Sequence, residues 1–330
     1  MSSELTPQTN GESRIVQIID TFDGYGELMN KTKGLDPIVT TVAYPCEATA
    51  LEGPLDAAKE NLIVPILIGP ETTIRELAEQ LGLDLTGVQI ENVESAAESA
   101  ARAVELVRTG MAEAVMKGSL HTDILISAIV SGEKGLRLPG RRISHAFVMD
   151  VPTYNRPLII SDGAINIAPD LKTKRDIVQN AIELAHAMGI ELPKVAVLAA
   201  VEMVNPDMQA TLDAAALCKM MDRRQITGGI IDGPLAFDNA ISREAADTKK
   251  IDSPVAGDAD ILIAPDLESG NMLVKQLIYL AQADAAGIVL GARAPVILTS
   301  RADGVRTRMA SCAVAVLKAH HHRTAKVEVH

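Results

Sequence analysis

The chain has 330 residues, 47% hydrophobic and 22% charged, with a formal net charge of −12 from 31 basic and 43 acidic side chains. That length exceeds what one hydrophobic core supports, so two domains are expected, and the acidic balance excludes nucleic acid or an anionic membrane as a bulk partner. Aromatic residues are 2% of the chain and Trp is absent, which leaves Val, Ile, Leu, Ala and Met to build a core suited to parallel strands covered on both faces.

Residues 1–13 are polar, lack the basic and apolar regions of a secretory signal, and read as a disordered tail. No run of about 18 apolar residues follows that would span a bilayer, so a cytoplasmic location is expected. Short apolar runs bounded by Gly, Pro or Asp then recur at 38–44, 62–68, 114–118, 145–150, 158–162, 195–201, 228–233, 260–266, 287–291 and 295–300. Their length and β-branched content predict strands. Between them, 94–109, 172–188 (ending at Gly189) and 305–319 carry apolar residues at helical spacing. Strands alternating with helices on this scale predict an α/β fold with mostly parallel sheets. Residues 320–330 include three adjacent His; consecutive side chains diverge, and the segment reads as a solvated polar tail rather than a metal site. Cys46, Cys218 and Cys312 have no short metal-type spacing and imply no disulfide framework.

In open α/β sheets, ligands bind beyond the carboxyl ends of the strands, so the polar residues that end each run are the candidates. No dinucleotide fingerprint, phosphate loop, nucleophile elbow or zincin motif is present. Two turns have the chemistry of an anion site. T-S-R-A-D (299–303) lies between a predicted strand and a predicted helix. A helix start offers free N–H groups and a positive dipole end; Ser300 adds a hydroxyl and Arg301 a planar fork of donors matched to phosphate. The same residues also read as a helix cap followed by a surface charge. P-D-L-E-S-G-N-M-L-V-K (265–275) places Ser269 as a helix cap, Gly270 where a ligand could approach the backbone, and Asn271 and Lys275 one turn apart on one face. It too reads as nothing more than a capped helix.

Taken together with MKG (116–118) and SHAFVMDVPTYNRPLIISDGAINIAPDL (144–171), these two turns form an ordered set that resembles the phosphate acetyltransferase and phosphate butyryltransferase family over roughly 14–319. The S-H-x-x-V start at Ser144 and the S-R-A-D form at Ser300 resemble the butyryltransferase branch. The resemblance implies two three-layer α/β domains with an interdomain cleft, an architecture shared with isocitrate and isopropylmalate dehydrogenases. It places a first domain at 14–145 plus 295–319 and a second, inserted domain at 146–294. It implies a homodimer or higher homo-oligomer, no tightly bound cofactor and no metal. The implied reaction is reversible transfer of a short acyl group between coenzyme A and inorganic phosphate, by direct transfer in a ternary complex.

On this resemblance Arg301 binds the phosphoryl end and Ser300 donates to phosphate or to the developing oxyanion. Gly270, Asn271 and Lys275 line the cleft, Asp162 and Asn166 orient substrate, and Lys117 with Gly118 meets phosphate. The better-known branch carries an acid a few positions beyond its Ser-Arg pair as base for the CoA thiol; this chain has Thr307 seven residues after Ser300. Asp303 is the nearest carboxylate and is either the base or a helix cap, and His145 is a second candidate base. The basic loop at 134–142 either meets the CoA 3′-phosphate or is a solvated face. Two rival functions remain: a metal-dependent decarboxylating dehydrogenase using Asp258, Asp260 and Asp266, and a non-catalytic CoA-binding or regulatory module.

Overall fold

A computed structural model describes residues 23–299 and 303–327. Ser300 and Arg301 therefore lie outside the described residues.

Eleven strands form one sheet in the order β3-β2-β1-β4-β11-β10-β5-β6-β9-β7-β8. They are β1 (Ile38–Ala43), β2 (Ile63–Gly69), β3 (Gln89–Asn92), β4 (Ala114–Lys117), β5 (Ser144–Asp150), β6 (Leu158–Ser161), β7 (Lys194–Leu198), β8 (Ile230–Leu235), β9 (Ile261–Ile263), β10 (Asp284–Leu290) and β11 (Val296–Ile297). Strands β3, β2, β1, β4 and β11 run parallel, as do β6, β9, β7 and β8. Between the two groups, β10 is antiparallel to both β11 and β5, and β5 is antiparallel to β6. The predicted mostly parallel α/β fold is therefore present, with an antiparallel seam at its centre.

Apolar residues occupy both faces because helices cover both. On one side α1 (Gly24–Thr32), α2 (Ala48–Lys59), α6 (Leu171–Ala187) and α11 (Val305–Val327) share a core that includes Leu28, Leu51, Ile177 and Val316. On the other, α4 (Ala96–Arg108) and α5 (Thr122–Val130) bury Val104, Leu125 and Ile129 against β1 and β4. Helix α4 starts with a capping box: the Ser95 hydroxyl accepts from Glu98 N, and the Glu98 carboxylate accepts from Ser95 N. Helix α6 ends as predicted, with Gly189 at φ 89° just past its last turn.

Several boundaries differ from the sequence reading for identifiable reasons. β3 was not predicted; it is a short edge strand of polar sequence, QIEN, whose pairing with β2 defines it. Helix α10 (Leu267–Ala281) is capped by Asp266, whose carboxylate accepts from Ser269 N at 2.8 Å, so Ser269 lies inside the first turn rather than at the cap. Helix α11 does not stop at residue 319. It runs 23 residues to Val327, because His320 Nε2 meets the Asp36 carbonyl at 2.8 Å and Arg323 forms a two-point ion pair with Glu113. The solvated tail expected from 320 onward is thus helical as far as the described residues extend.

Helix α6 is joined to α7 (Gln209–Asp222) by a buried ion pair, Lys174 Nζ to Asp213 Oδ2 at 2.7 Å, with side-chain exposures of 6% and 7%. Gln209 Nε2 donates to the other Asp213 oxygen at 2.8 Å. Removing one member leaves a charge in a site that excludes water, so Asp213→Ala is expected to destabilise the protein by about 3–5 kcal/mol. The double variant Lys174→Met with Asp213→Leu is expected to recover most of that loss; urea denaturation midpoints of the three proteins check it.

Candidate active site

The parallel strands β4 and β11 end side by side, and their carboxyl ends set one wall of a cleft of about 700 Å³. Lys117 closes β4 and Thr299 follows β11 into the same space. The opposite wall is α10, which contributes Asn271, Val274, Lys275, Ile278 and Tyr279. The floor is the seam: His145 and Phe147 on β5, with Ala285 and Gly287 on the paired strand β10. Asp303, Gly304 and Thr307 at the start of α11 complete the lining.

Four of the predicted site residues therefore meet in one place: Lys117, Asn271, Lys275 and Asp303. Lys117 is 9% exposed and its ammonium donates to the Gly118 carbonyl at 3.1 Å. Among the described residues of the cleft lining, Asp303 is the one carboxylate. Asn271 Nδ2 donates to the Gly163 carbonyl at 3.0 Å, which fixes α10 against the loop after β6.

The other predicted residues among those described, Gly118, Asp162, Asn166 and Gly270, lie near the cleft without lining it. Gly118 lines a small adjoining cavity of about 20 Å³ with Lys117, Thr299 and Arg308. A Cβ at Gly118 would come within 2.4 Å of the Ala43 carbonyl oxygen, so its lack of a side chain lets the end of β4 press on the end of β1. Asp162 is 2% exposed, and its carboxylate accepts from Ala164 N and Ile165 N at 3.0 Å and from Asn166 N at 3.2 Å. Asn166 Nδ2 donates to Asp162 and to the Ile143 carbonyl. These two residues fold the loop that receives α10. Gly270 serves the same contact, since a Cβ there would sit 2.4 Å from the Asp162 carbonyl oxygen.

The basic loop at 134–142 does not line the cleft. Arg141 turns to Asn180 and Glu183, and Arg137 and Arg142 are exposed. The carboxylates considered for a metal are engaged elsewhere. Asp258 pairs with Lys194 and Arg156, Asp260 with Arg156, and Asp266 caps α10. Among the described residues, no three His, Cys, Asp or Glu side chains group as a metal site.

Residues 94–316 match the phosphate acetyl/butaryl transferase family. The chain belongs to that family. It is 56% identical over 303 residues to the phosphate acetyltransferase of Rhizobium meliloti, covering 92% of this chain and 96% of the relative. It is 43% identical over 295 residues to the phosphate butyryltransferase of Clostridium acetobutylicum, covering 89% and 98%. The crystal structure of a branched-chain phosphotransacylase from Enterococcus faecalis V583 superposes with a TM-score of 0.75 at 30% identity, covering 86% of this chain and all 100% of that one. A 4-hydroxythreonine-4-phosphate dehydrogenase from Klebsiella pneumoniae, at 13% identity and TM-score 0.54 over 86% of this chain and 99% of that one, shares the fold alone. That likeness explains why a dehydrogenase was a reasonable rival on architecture.

Sequence reasoning missed residues of the floor and far wall of this cleft: Phe147, Ile278, Tyr279, Ala283 and Ala285. The available signal was the run of small residues Ala285, Ala286 and Gly287 in β10, whose cleft-facing members are identified only once β5 is known to be its neighbour.

His145, weighed earlier as a base, is fully buried and packs edge-on to Phe147 at 4.4 Å. Burial holds its imidazole down at about 4 from an ordinary 6.5, against the opposing pull of the Asp162 carboxylate and the Leu298 backbone. In the unfolded chain the same ring takes up a proton below about pH 6.5. The unfolded state then holds more protons than the folded one, so His145 contributes a loss of stability as pH falls from about 6.5 towards 4. Urea denaturation at pH 7 and pH 5 is expected to show a larger drop for the wild type than for His145→Phe.

Proposed function

We propose that this cleft is where an acyl group passes between coenzyme A and inorganic phosphate. The chain is a phosphate acyltransferase, catalysing acyl-CoA plus phosphate to acyl phosphate plus coenzyme A and the reverse. The observation that carries the site is that Lys117, Asn271, Lys275, Thr299 and Asp303, drawn from three distant segments, surround one 700 Å³ space. Phosphate, acyl phosphate and the CoA pyrophosphate are anions, and a protein of net charge −12 needs local cations to hold them.

In this reading the two substrates bind together and react directly. A phosphate oxygen attacks the thioester carbonyl carbon, the carbonyl oxygen gains negative charge, and the carbon–sulfur bond breaks to release the thiolate. Holding both partners in line converts an encounter into a nearly unimolecular step. Arg301 and Ser300, two and one residues beyond Thr299, bind the phosphoryl end. Lys117 and Lys275 supply positive charge from opposite walls, and Asn271 holds α10 in place. Asp303 takes the thiol proton in the acyl-phosphate-consuming direction. Gly118, Asp162, Asn166 and Gly270 act by shaping the walls.

The domain reading belongs with this proposal. Residues 14–145 with 295–319 act as one α/β domain and 146–294 as a second, inserted one, with the cleft between them. The reversal of strand direction between β11 and β10 supports that boundary. We also infer a cytoplasmic homodimer or higher oligomer that uses coenzyme A as a substrate and holds no tight cofactor. Among the described residues, no helix is long and apolar enough to cross a membrane. The apolar floor supports a short acyl chain, acetyl to butyryl. A second reading, a CoA-binding module without turnover, is favoured by Thr307 at the position where the resemblance expects an acid.

The test is thiol release from acetyl-, propionyl- and butyryl-CoA. Release that depends on added phosphate is expected, and binding of coenzyme A without release from any of the three would favour the non-catalytic module instead. Arg301→Lys is expected to lower kcat by about 100-fold with the fold intact, because a point charge cannot reproduce the bidentate fork. Turnover close to wild type in that variant would remove Arg301 from the mechanism.

A further inference from the structure

We infer that His145 is a catalytic hydrogen-bond donor, its neutral imidazole receiving the acyl carbonyl oxygen through Nε2–H as negative charge develops there. The inference rests on the acyltransferase reading of the cleft.

The ring lines the cleft floor yet is fully buried, and among the described residues neither Nδ1 nor Nε2 makes a well-formed hydrogen bond, the Leu298 backbone being the polar group close enough to act on it. A buried polar group left without a partner costs free energy, and native folds satisfy nearly all of them. Here the cost is built in at the centre of the sheet. His145 sits on β5 opposite Val289 of β10, and Phe147 sits opposite Gly287. A Cβ at Gly287 would lie 3.2 Å from His145 Nε2 and 2.7 Å from the Leu298 carbonyl oxygen. A side chain at residue 287 would press on Nε2, and glycine spares it that contact.

The surroundings also fit the role. Phe147, Val274, Ile278, Ala283 and Ala285 supply apolar lining to the same cleft, which suits an acyl chain. A fixed donor in such a site stabilises developing charge far better than it would in water. Burial keeps the ring neutral at physiological pH, so it donates without surrendering its proton. The groups that face it are the Asp162 carboxylate, the Leu298 backbone and the Phe147 ring. The step balances without change at His145: phosphate oxygen to carbon forms, carbon to sulfur breaks, the charge on the carbonyl oxygen appears and collapses, and the thiolate leaves with that electron pair. The acyl group reaches the ring by displacing lining that now covers it.

A core histidine with no chemical part would respond to substitution in stability alone. The test therefore reads kcat. His145→Phe is expected to lower kcat for thiol release by about 100-fold while KM for phosphate holds, because one oxyanion donor is lost. His145→Gln, whose amide N–H replaces the donor, is expected to recover part of that loss. Nitrogen-15 NMR of histidine-labelled wild type gives a readout independent of any variant's folding. A CoA ketone analogue with CH2 in place of the thioester sulfur is expected to shift the His145 Nε2 resonance. Folded His145→Phe with kcat near wild type, or an unmoved resonance at saturating analogue, overturns the inference. Absence of phosphate-dependent release by the wild type itself would instead sink the acyltransferase reading, and this inference with it.

Discussion

The antiparallel pairing of β5 with β10 is the constraint on which the rest depends. It runs the full length of both strands, from Ser144 opposite Leu290 to Asp150 opposite Asp284. Parallel strands need crossover connections, and each of the two parallel groups can build only its own wall. The seam joins them. It also carries the chain from β10 directly back to β11 beside β4, so Thr299 lines the same space as Lys117. Residues 182 positions apart thereby line one cleft, without any local signal that they should.

The seam decides the chemistry of the floor as well as the position of the walls. Strand residues alternate between faces, so residues 145 and 147 of β5 and residues 285 and 287 of β10 all point to the cleft. Small residues on β10 keep this floor open. The far wall is held by a second device: the Asp162 carboxylate gathers the backbone N–H groups of residues 164–166, and Gly270 and Asn271 dock α10 onto the resulting loop. Asp162 and Gly270 are therefore tied to the cleft through packing, whereas Lys117, Lys275 and Asp303 line it themselves.

Charge is handled locally. The chain is acidic overall, and much of its basic complement is paired away from the cleft: Arg156 with Asp258 and Asp260, Arg102 with Glu91, Arg323 with Glu113. Lys117 and Lys275 line facing walls of the cleft. Two cations lining one cleft offset the acidic balance of the chain locally.

By itself the sequence determined the fold class, most strand positions, the capped helices at 94–109 and 172–188, and the family. Those features are local: apolar period, capping chemistry and ordered short motifs are written in neighbouring residues. It also named Lys117, Asn271, Lys275 and Asp303, because the ordered short motifs that carry the family resemblance contain them. It had no means of separating Asp266 from Ser269 as the cap of α10, since both are good capping residues three positions apart. Only the tertiary structure decided that β3 is a strand and that α11 continues past residue 319. The first needs β2 as its partner, and the second needs Glu113, 210 residues away from Arg323. It likewise decided that His145 is buried without a well-formed hydrogen bond, because that depends on Gly287 lying across from the neighbouring strand residue and on what packs above it. Pairing between distant strands carries no periodicity of its own, and the floor of this cleft is made of such pairs.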